Sequence, residues 1–475
     1  MLYETRLPAS TLIATSAFEA LFCAIASPAV IKIHAEPSTT HDAFMPGNSP
    51  EQELSHGSTG IRAILVHVAK ERNLAQAQLE MAADLPVVKP ASVRMPDAVV
   101  RSRRQPELDA LRGFLLVWMT LNHLPTRVSY FTNQPLGFVS AAEGFIFLSA
   151  LLTGRVFGRR LDEAGPADVW KRLEARVARL YGYHLFLLGI AFGVVATIAI
   201  HTKQPSLQGL VDFYLAHPLR AVVSSVLLIY RPPLLDILPM YILFLVGTPL
   251  ALYIGRRWGW KMVLIPSVLI WIGAQFSLRV AAYNFTGSLT GFRIPFSAMG
   301  AFDLFGWQLL WIAGLWIGGG SPKILPSLPK SKLVLAIVVL VAAGFIYIRH
   351  SFLWNDLNTA PWLPFTDKWR LGVVRLCNFM ALGILFSASQ KFLARWFAVA
   401  PLVTLGKASL EVFCAHLLLC FTALAMVGDG SAVAVAPQLA IIACSLLGLY
   451  LVAVVSTRRQ ARAKVKTPLD SAAYS

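Results

Sequence analysis

From Leu108 to near its C-terminus this chain is a succession of apolar windows, each close to the ~20 residues a helix needs to cross the hydrocarbon of a bilayer. They fall at about 108–125, 136–158, 180–200, 237–254, 260–279, 304–320, 332–349, 370–388, 399–422 and 434–455, with an in-plane or re-entrant stretch within 206–230. The runs are too long and too many for soluble domains. Of 475 residues, 56% are apolar and 14% charged, where a soluble protein carries about a quarter charged residues. The fold class expected is all-α: a polytopic transmembrane helical bundle of about ten spanning helices.

The formal net charge is +17, but the basic residues form short clusters between apolar windows and not one face or tail. That is the pattern of cytoplasmic loops, so membrane lipid is an expected partner and nucleic acid is not. Placing the segment before the first window in the cytoplasm gives that side Arg101, Arg103 and Arg104, the cluster Arg155 to Arg179, Arg256, Arg257 and Lys261, then Lys323, Lys330 and Lys332, Lys391 and Arg395, and Arg458 to Lys466. The other side keeps Arg127, Lys203, Arg220, Arg231, Arg279, Arg293, Arg349, Lys368 and Arg370, so the bias exceeds twofold. Both termini are expected in the cytoplasm. Cys23, Cys377, Cys414, Cys420 and Cys444 all lie in apolar stretches without paired or metal-type spacing. They read as small buried hydrophobes, with no disulfide framework and no metal site.

Residues 1–100 differ from the rest: they are mixed in polarity, rich in Ala, Pro and Ser, with one amphipathic stretch near Ile61–Met81. The apolar run Leu7–Ile33 makes a poor signal peptide or span, because Glu4 offsets Arg6 and Glu19 interrupts it. The expected organisation is a weakly ordered extension over 1–100, with Met81 and Met95 as alternative starts, a transmembrane domain over 101–457 and a basic cytoplasmic tail over 458–475.

The first window, ELDALRGFLLVWMTLNHLP, holds Asp109, Arg112 and His123. Ionisable groups in hydrocarbon are expensive and mark function by default. Arg112 and His123 are eleven residues, about three turns, apart and share a helix face, with His123 roughly 16 Å further along. An ordinary ion pair of Asp109 with Arg112 at the membrane edge and an interfacial His123 are the competing readings. Glu143, in the first two turns of the second window, reaches similar depth to His123, and a carboxylate near an imidazole orients the ring and raises its basicity. A structural Glu143 bonded to backbone or to a Trp competes. In the stretch that follows, Arg172, Arg176 and Arg179 recur at helical spacing. An arginine stripe at a cytoplasmic membrane mouth is a phosphate clamp or a site for anionic lipid headgroups.

Six segments in order, ELDALRG…LNHLP, SAAEGFIFLS, RLEARVARLYGYH, DILPMYI (Asp236 to Ile242), GWQLLW (Gly306 to Trp311) and LGKASLEVFCAH (Leu405 to His416), resemble the signatures of the OpgC-type osmoregulated periplasmic glucan succinyltransferases, within the acyltransferase-3 superfamily. The resemblance runs from about Glu107 to the last window and departs from the family pattern at Ser140 (usually Asp), Ala150 (usually Gly) and Gly182 (Pro in many superfamily members). It implies a membrane O-acyltransferase of the bacterial inner membrane that moves an acyl group, succinyl in this family, from cytoplasmic acyl-CoA to hydroxyls of an extracytoplasmic glycan. Acyl-CoA would be a co-substrate, with no bound cofactor. It implies that His123 is the catalytic base with Arg112 its partner on the first span, and that Arg176 and Arg179 meet the donor. Placement along the chain adds Glu143 to the catalytic residues and Asp109, Arg112 and Arg172 to the donor side. Two other classes use the same residue types: a proton-coupled transporter or exporter, and a non-catalytic partner of a glycan synthase.

Overall fold

The computed structural model describes residues 105–320, 331–354, 363–389, 392, 395, 397–430 and 433–471. The N-terminal extension with its alternative starts, Cys23, and the loop cations Arg101, Arg103, Arg104, Lys323, Lys330 and Lys391 lie outside these residues.

Among the described residues the regular structure is helical throughout. Helix α1 (Pro106–His123) opens with Pro106 in the first turn, where a missing N–H removes no intrahelical bond. It closes at His123 because Pro125 disfavours the helical region for the residue before it, and Leu124 is extended (φ −68°, ψ 135°). After the short α2 (Val128–Thr132), α3 (Ala141–Ile190) continues through a π-helical turn into α4 (Ala196–Thr202). Gly165 (φ 79°, ψ 177°), followed by Pro166, interrupts α3. Arg176 donates to Thr153 Oγ1 at 3.3 Å across 23 residues, which a straight helix would hold roughly 34 Å apart. The chain therefore doubles back at Gly165, in a left-handed conformation that suits glycine. The basic stretch after the second window is thus helical, a hairpin extending two spans.

The in-plane stretch becomes α5 (Pro205–Ala216) and α6 (Pro218–Val226). Then come α7 (Ile237–Arg257), α8 (Lys261–Gln275), α9 (Leu278–Thr290), α10 (Leu304–Gly319), α11 (Lys332–Trp354), the one-turn α12 (Leu363–Thr366), α13 (Val373–Ala388), α14 (Ala400–Lys407), α15 (Ser409–Val427) and α16 (Val435–Ser471). Each of the ten windows falls on helix. Among the described residues six helices are long and apolar enough to cross a membrane, or seven if α8 and α9, bent by 87°, form one span. The number is lower than ten for local reasons. The α3 hairpin and α4 count as one, α1 carries Glu107, Asp109 and Arg112, α8 has 15 residues and breaks from α9, and α13 has 16 residues. The tail is not set off from the last span, since α16 runs on to Ser471.

Burial is inverted relative to a soluble protein. Leu333 and Leu340 on α11 and Met262 and Leu269 on α8 point outward, while Glu143, Arg375, Asn378 and His416 are enclosed. Cys414 and Cys420 are buried as expected, whereas Cys377 and Cys444 lie on the outer surface. Without a hydrophobic drive between helices in lipid, association rests on close packing at small residues. A Cβ on Gly318 of α10 would stand 1.9 Å from the Leu151 carbonyl oxygen, and one on Gly406 of α14 would stand 1.8 Å from that of Asp109. Gly406→Val should therefore separate α1 from α14. We expect a penalty at or above the top of the ~1–3 kcal/mol typical of overpacked cores, read as a lowered unfolding temperature in detergent. Gly182→Ala is the control, because nothing stands within 4 Å of that position.

Candidate active site

His123 ends α1, and the residue it meets lies on α15. His123 Nδ1 and His416 Nε2 are 3.0 Å apart, with the rings stacked at 5.3 Å between centroids. His416 Nδ1 lies 3.0 Å from the Phe413 carbonyl oxygen. A carbonyl only accepts, so Nδ1 of His416 carries the proton and Nε2 of the neutral ring is an acceptor. His123 then donates from Nδ1, which leaves its Nε2 lone pair free. The backbone of α15 thus sets the tautomer of both rings. His416 is fully buried, and His123 is partly open to a cavity of about 1280 Å³.

Charged side chains are concentrated on the wall of that cavity. Besides Met119, Asn122 and His123 of α1, its wall holds Asp212, Arg231, Asp236, Arg279, Asp303, Asp367, Lys368 and Arg370, with Phe302 and Trp369 among them. A second cavity of about 230 Å³ lies toward the other end of α1, lined by Arg112, Arg176, Arg179, Lys407, Ser409, Glu411 and Gln460. Phe413 and Ile237 line both, so the two meet across one layer of side chains. The Phe413 ring in that layer stacks on Phe145 at 5.9 Å and abuts His416 at 5.3 Å.

The shared face of Arg112 and His123 is present. Arg112 Nη1 donates to Ser409 at 3.4 Å, seven residues before His416 on the same helix, so α1 and α15 run parallel along the site. Arg112, Arg176 and Arg179 come together at the small cavity, and Arg176 is braced by Tyr241 at 2.8 Å as well as by Thr153. Their charges surround the N-terminus of α15, whose first N–H groups and dipole also favour an anion. Arg172 is not with them: its Nε donates to both carboxylate oxygens of Asp168 at 2.8 Å, and it is exposed. Asp109 does not line the cavity either, and its Oδ2 has no hydrogen-bond partner among the described residues.

The expected pairing of Glu143 with His123 is not the one the structure has. Glu143 is the third residue of α3, from which its side chain reaches back to the helix start in a capping box. Its Oε2 accepts from the Ser140 backbone N–H at 3.0 Å and from the Ser140 hydroxyl at 2.5 Å. Oε1 accepts from Arg375 Nη1 of α13 in a buried ion pair, the two side chains 0% and 2% exposed. Both oxygens are occupied, and His416 takes the place beside His123. Ser140, where the family pattern has Asp, supplies a hydroxyl that donates to the carboxylate.

His416, Arg375, Lys407 and Lys368 did not stand out among the site residues in the sequence. For the first two a signal existed: His416 lies inside window 399–422 and Arg375 inside 370–388, and the cost of an ionisable group in hydrocarbon flags them as it flagged His123.

A helical membrane protein with a histidine pair on the wall of a broad cavity lined by charged side chains, and a cationic pocket behind one aromatic layer, is the class these features define. The family model described as "OpgC protein" matches residues 104–461, and the chain belongs to the OpgC family. The family and the apolar helices together point to a membrane-bound, glucan-modifying protein. No curated protein and no solved structure matches the chain.

Proposed function

We propose that the chain is a membrane O-acyltransferase that moves an acyl group, succinyl in the first instance, from cytoplasmic acyl-CoA to hydroxyls of a periplasmic glucan. The observation that carries this reading is the His123–His416 pair. It presents a lone pair to a cavity large enough for sugar rings, one aromatic layer from a pocket of three arginines and a lysine. The orientation proposed is that of the charge bias, with both termini cytoplasmic in the bacterial inner membrane. The small cavity then opens where CoA resides and the large one where the glucan resides.

In this reading the donor phosphates rest among Arg112, Arg176, Arg179, Lys407 and the start of α15. The pantetheine arm passes the Phe413 layer and brings the thioester to His123. Nε2 takes the proton of the glucan hydroxyl as its oxygen attacks the thioester carbon. The C–S bond breaks, and the imidazolium returns the proton to the departing sulfur, giving the ester and free CoA. Throughout, His123 Nδ1–H keeps its bond to His416, so the charged intermediate forms without reorganising the site. Asp109 and Arg172 are proposed only as outer residues on the donor side, and Glu143 as support for the helix that carries it.

Membrane vesicles containing the protein, given labelled succinyl-CoA and glucan, should place alkali-labile label on the glucan. Label at the level of vesicles lacking the protein would reject the reading. Arg176→Ala and Arg179→Ala should each raise the KM for acyl-CoA by about 10- to 100-fold, from loss of ~1.5–3 kcal/mol of charged hydrogen bonding, with the KM for glucan unchanged. A change confined to glucan would remove the arginines from the donor site.

A further inference from the structure

The large cavity contains a cation that the acyl-transfer steps do not use. Lys368 stands in the turn between α12 and α13, with its ammonium over the Trp369 ring at 5.0 Å and the Phe302 ring at 5.9 Å. Among the described residues no ion pair within 4.0 Å includes it. The nearby carboxylates are engaged elsewhere. Asp367 pairs with Arg370 at 3.6 Å, Asp303 accepts from the Phe305 N–H, Asp236 accepts from the Ala301 N–H at 3.2 Å, and Glu143 belongs to Arg375. Burial pushes the ammonium below its ordinary range, with the Glu143 and Asp236 carboxylates opposing that shift from beyond ion-pair distance and Arg375 adding to it.

The turn itself is built to hold this side chain in place. Its four successive carbonyls all accept hydrogen bonds. Lys368 and Trp369 accept from the Trp307 indole at 3.2 and 3.1 Å, Arg370 from Gln275 at 3.0 Å, and Leu371 from the Trp271 indole at 2.9 Å. They keep Leu371 at φ 57°, a left-handed conformation that a leucine adopts only when its surroundings over-determine it. A half-buried charge on a rigid, strained turn needs compensation. Two ring faces offer it electrostatic attraction but no acceptor for its N–H donors.

We propose that Lys368 is an anion-binding residue of the large cavity, taking a carboxylate or similar group that the substrate presents there, either at the far end of the transferred acyl chain or on the acceptor glycan. The assignment rests on the acyltransferase reading for the roles of donor and acceptor. The three ammonium donors then close on substrate oxygens, the strong charge-assisted kind of hydrogen bond.

Two measurements on purified, lipid-embedded protein test this, comparing wild type with Lys368→Met and the charge-keeping Lys368→Arg. Binding is read with monomethyl succinate, monomethyl phosphate and methyl butyrate. The two anions should bind wild type and Lys368→Arg and lose about 10- to 100-fold in affinity in Lys368→Met, while the neutral ester changes little. Transfer is read with succinyl-CoA against butyryl-CoA, which replaces the carboxylate by methyl, on a neutral glucan and on one already bearing succinyl groups. Loss in Lys368→Met confined to succinyl-CoA assigns the anion to the acyl chain. Loss confined to the succinylated glucan assigns it to the acceptor, and either upholds the site. Equal loss for all combinations, or anion binding unchanged by Lys368→Met, overturns it. Were wild type to transfer from neither donor, the acyltransferase reading would fall and the binding result alone would still decide the anion site. Lys368→Gln stands in if the methionine variant does not reach the membrane.

Discussion

His123→Ala is expected to reach the membrane at normal abundance and to lose about 10²- to 10⁴-fold in acyl transfer, the contribution typical of a general base. Its side chain ends α1 and opens to the cavity, and the helix end is set by Pro125, so removing the imidazole should leave the bundle intact. His123→Asn should be equally inactive, because an amide cannot take a proton. His416→Phe keeps a ring of similar bulk but offers no acceptor to His123 Nδ1–H, which is held at 3.0 Å. It should lose less, about 10- to 100-fold in kcat, with KM values little changed, since the base survives in a less defined orientation. Transfer from labelled succinyl-CoA, normalised to protein in the membrane, is the measurement. Near-wild-type transfer by His123→Ala would remove it from the chemistry and return the transporter and accessory readings to first place.

Arg375→Ala should instead act on folding. It strands the Glu143 carboxylate, 0% exposed, with Ser140 as its remaining hydrogen-bond partner, and breaking one side of a buried ion pair costs about 3–5 kcal/mol. The expected result is a large fall in membrane abundance and in unfolding temperature in detergent. Glu143→Gln should be milder, because the amide oxygen can still accept from Ser140 or Arg375, although the Arg375 charge loses its counterion. Combining Glu143→Gln with Arg375→Met should recover much of the loss, since removing both charges also removes the cost of burying them. Activity per folded molecule separates structure from chemistry. If Glu143→Gln folded normally yet lost transfer as fully as His123→Ala, the carboxylate would belong to the reaction after all.

Much of this protein is determined locally and is legible in the chain. Windows of spanning length dictate helices because the rise per residue is fixed. The three-turn interval between Arg112 and His123 puts them on one face whatever else the chain does, and the spacing of Arg176 and Arg179 likewise keeps them together. Periodicity states which face of a helix is special, but not which helix lies against it. His416, 293 residues from His123, and Arg375, 232 residues from Glu143, become partners only when α15 and α13 pack beside α1 and α3. Depth arguments set Glu143 level with His123, yet a capping box and a remote arginine claim both of its oxygens. Arg172 shares the arginine stripe in sequence, but Asp168, four residues away, draws it off to the surface. Whether the basic stretch forms a loop or a hairpin was decided at Gly165, where a single left-handed residue turns one long helix back on itself. Local chemistry along the chain dictates the helices, their apolar faces and the charged residues they carry. Only tertiary packing decided which charges meet, because those pairings depend on contacts between segments that no local rule connects.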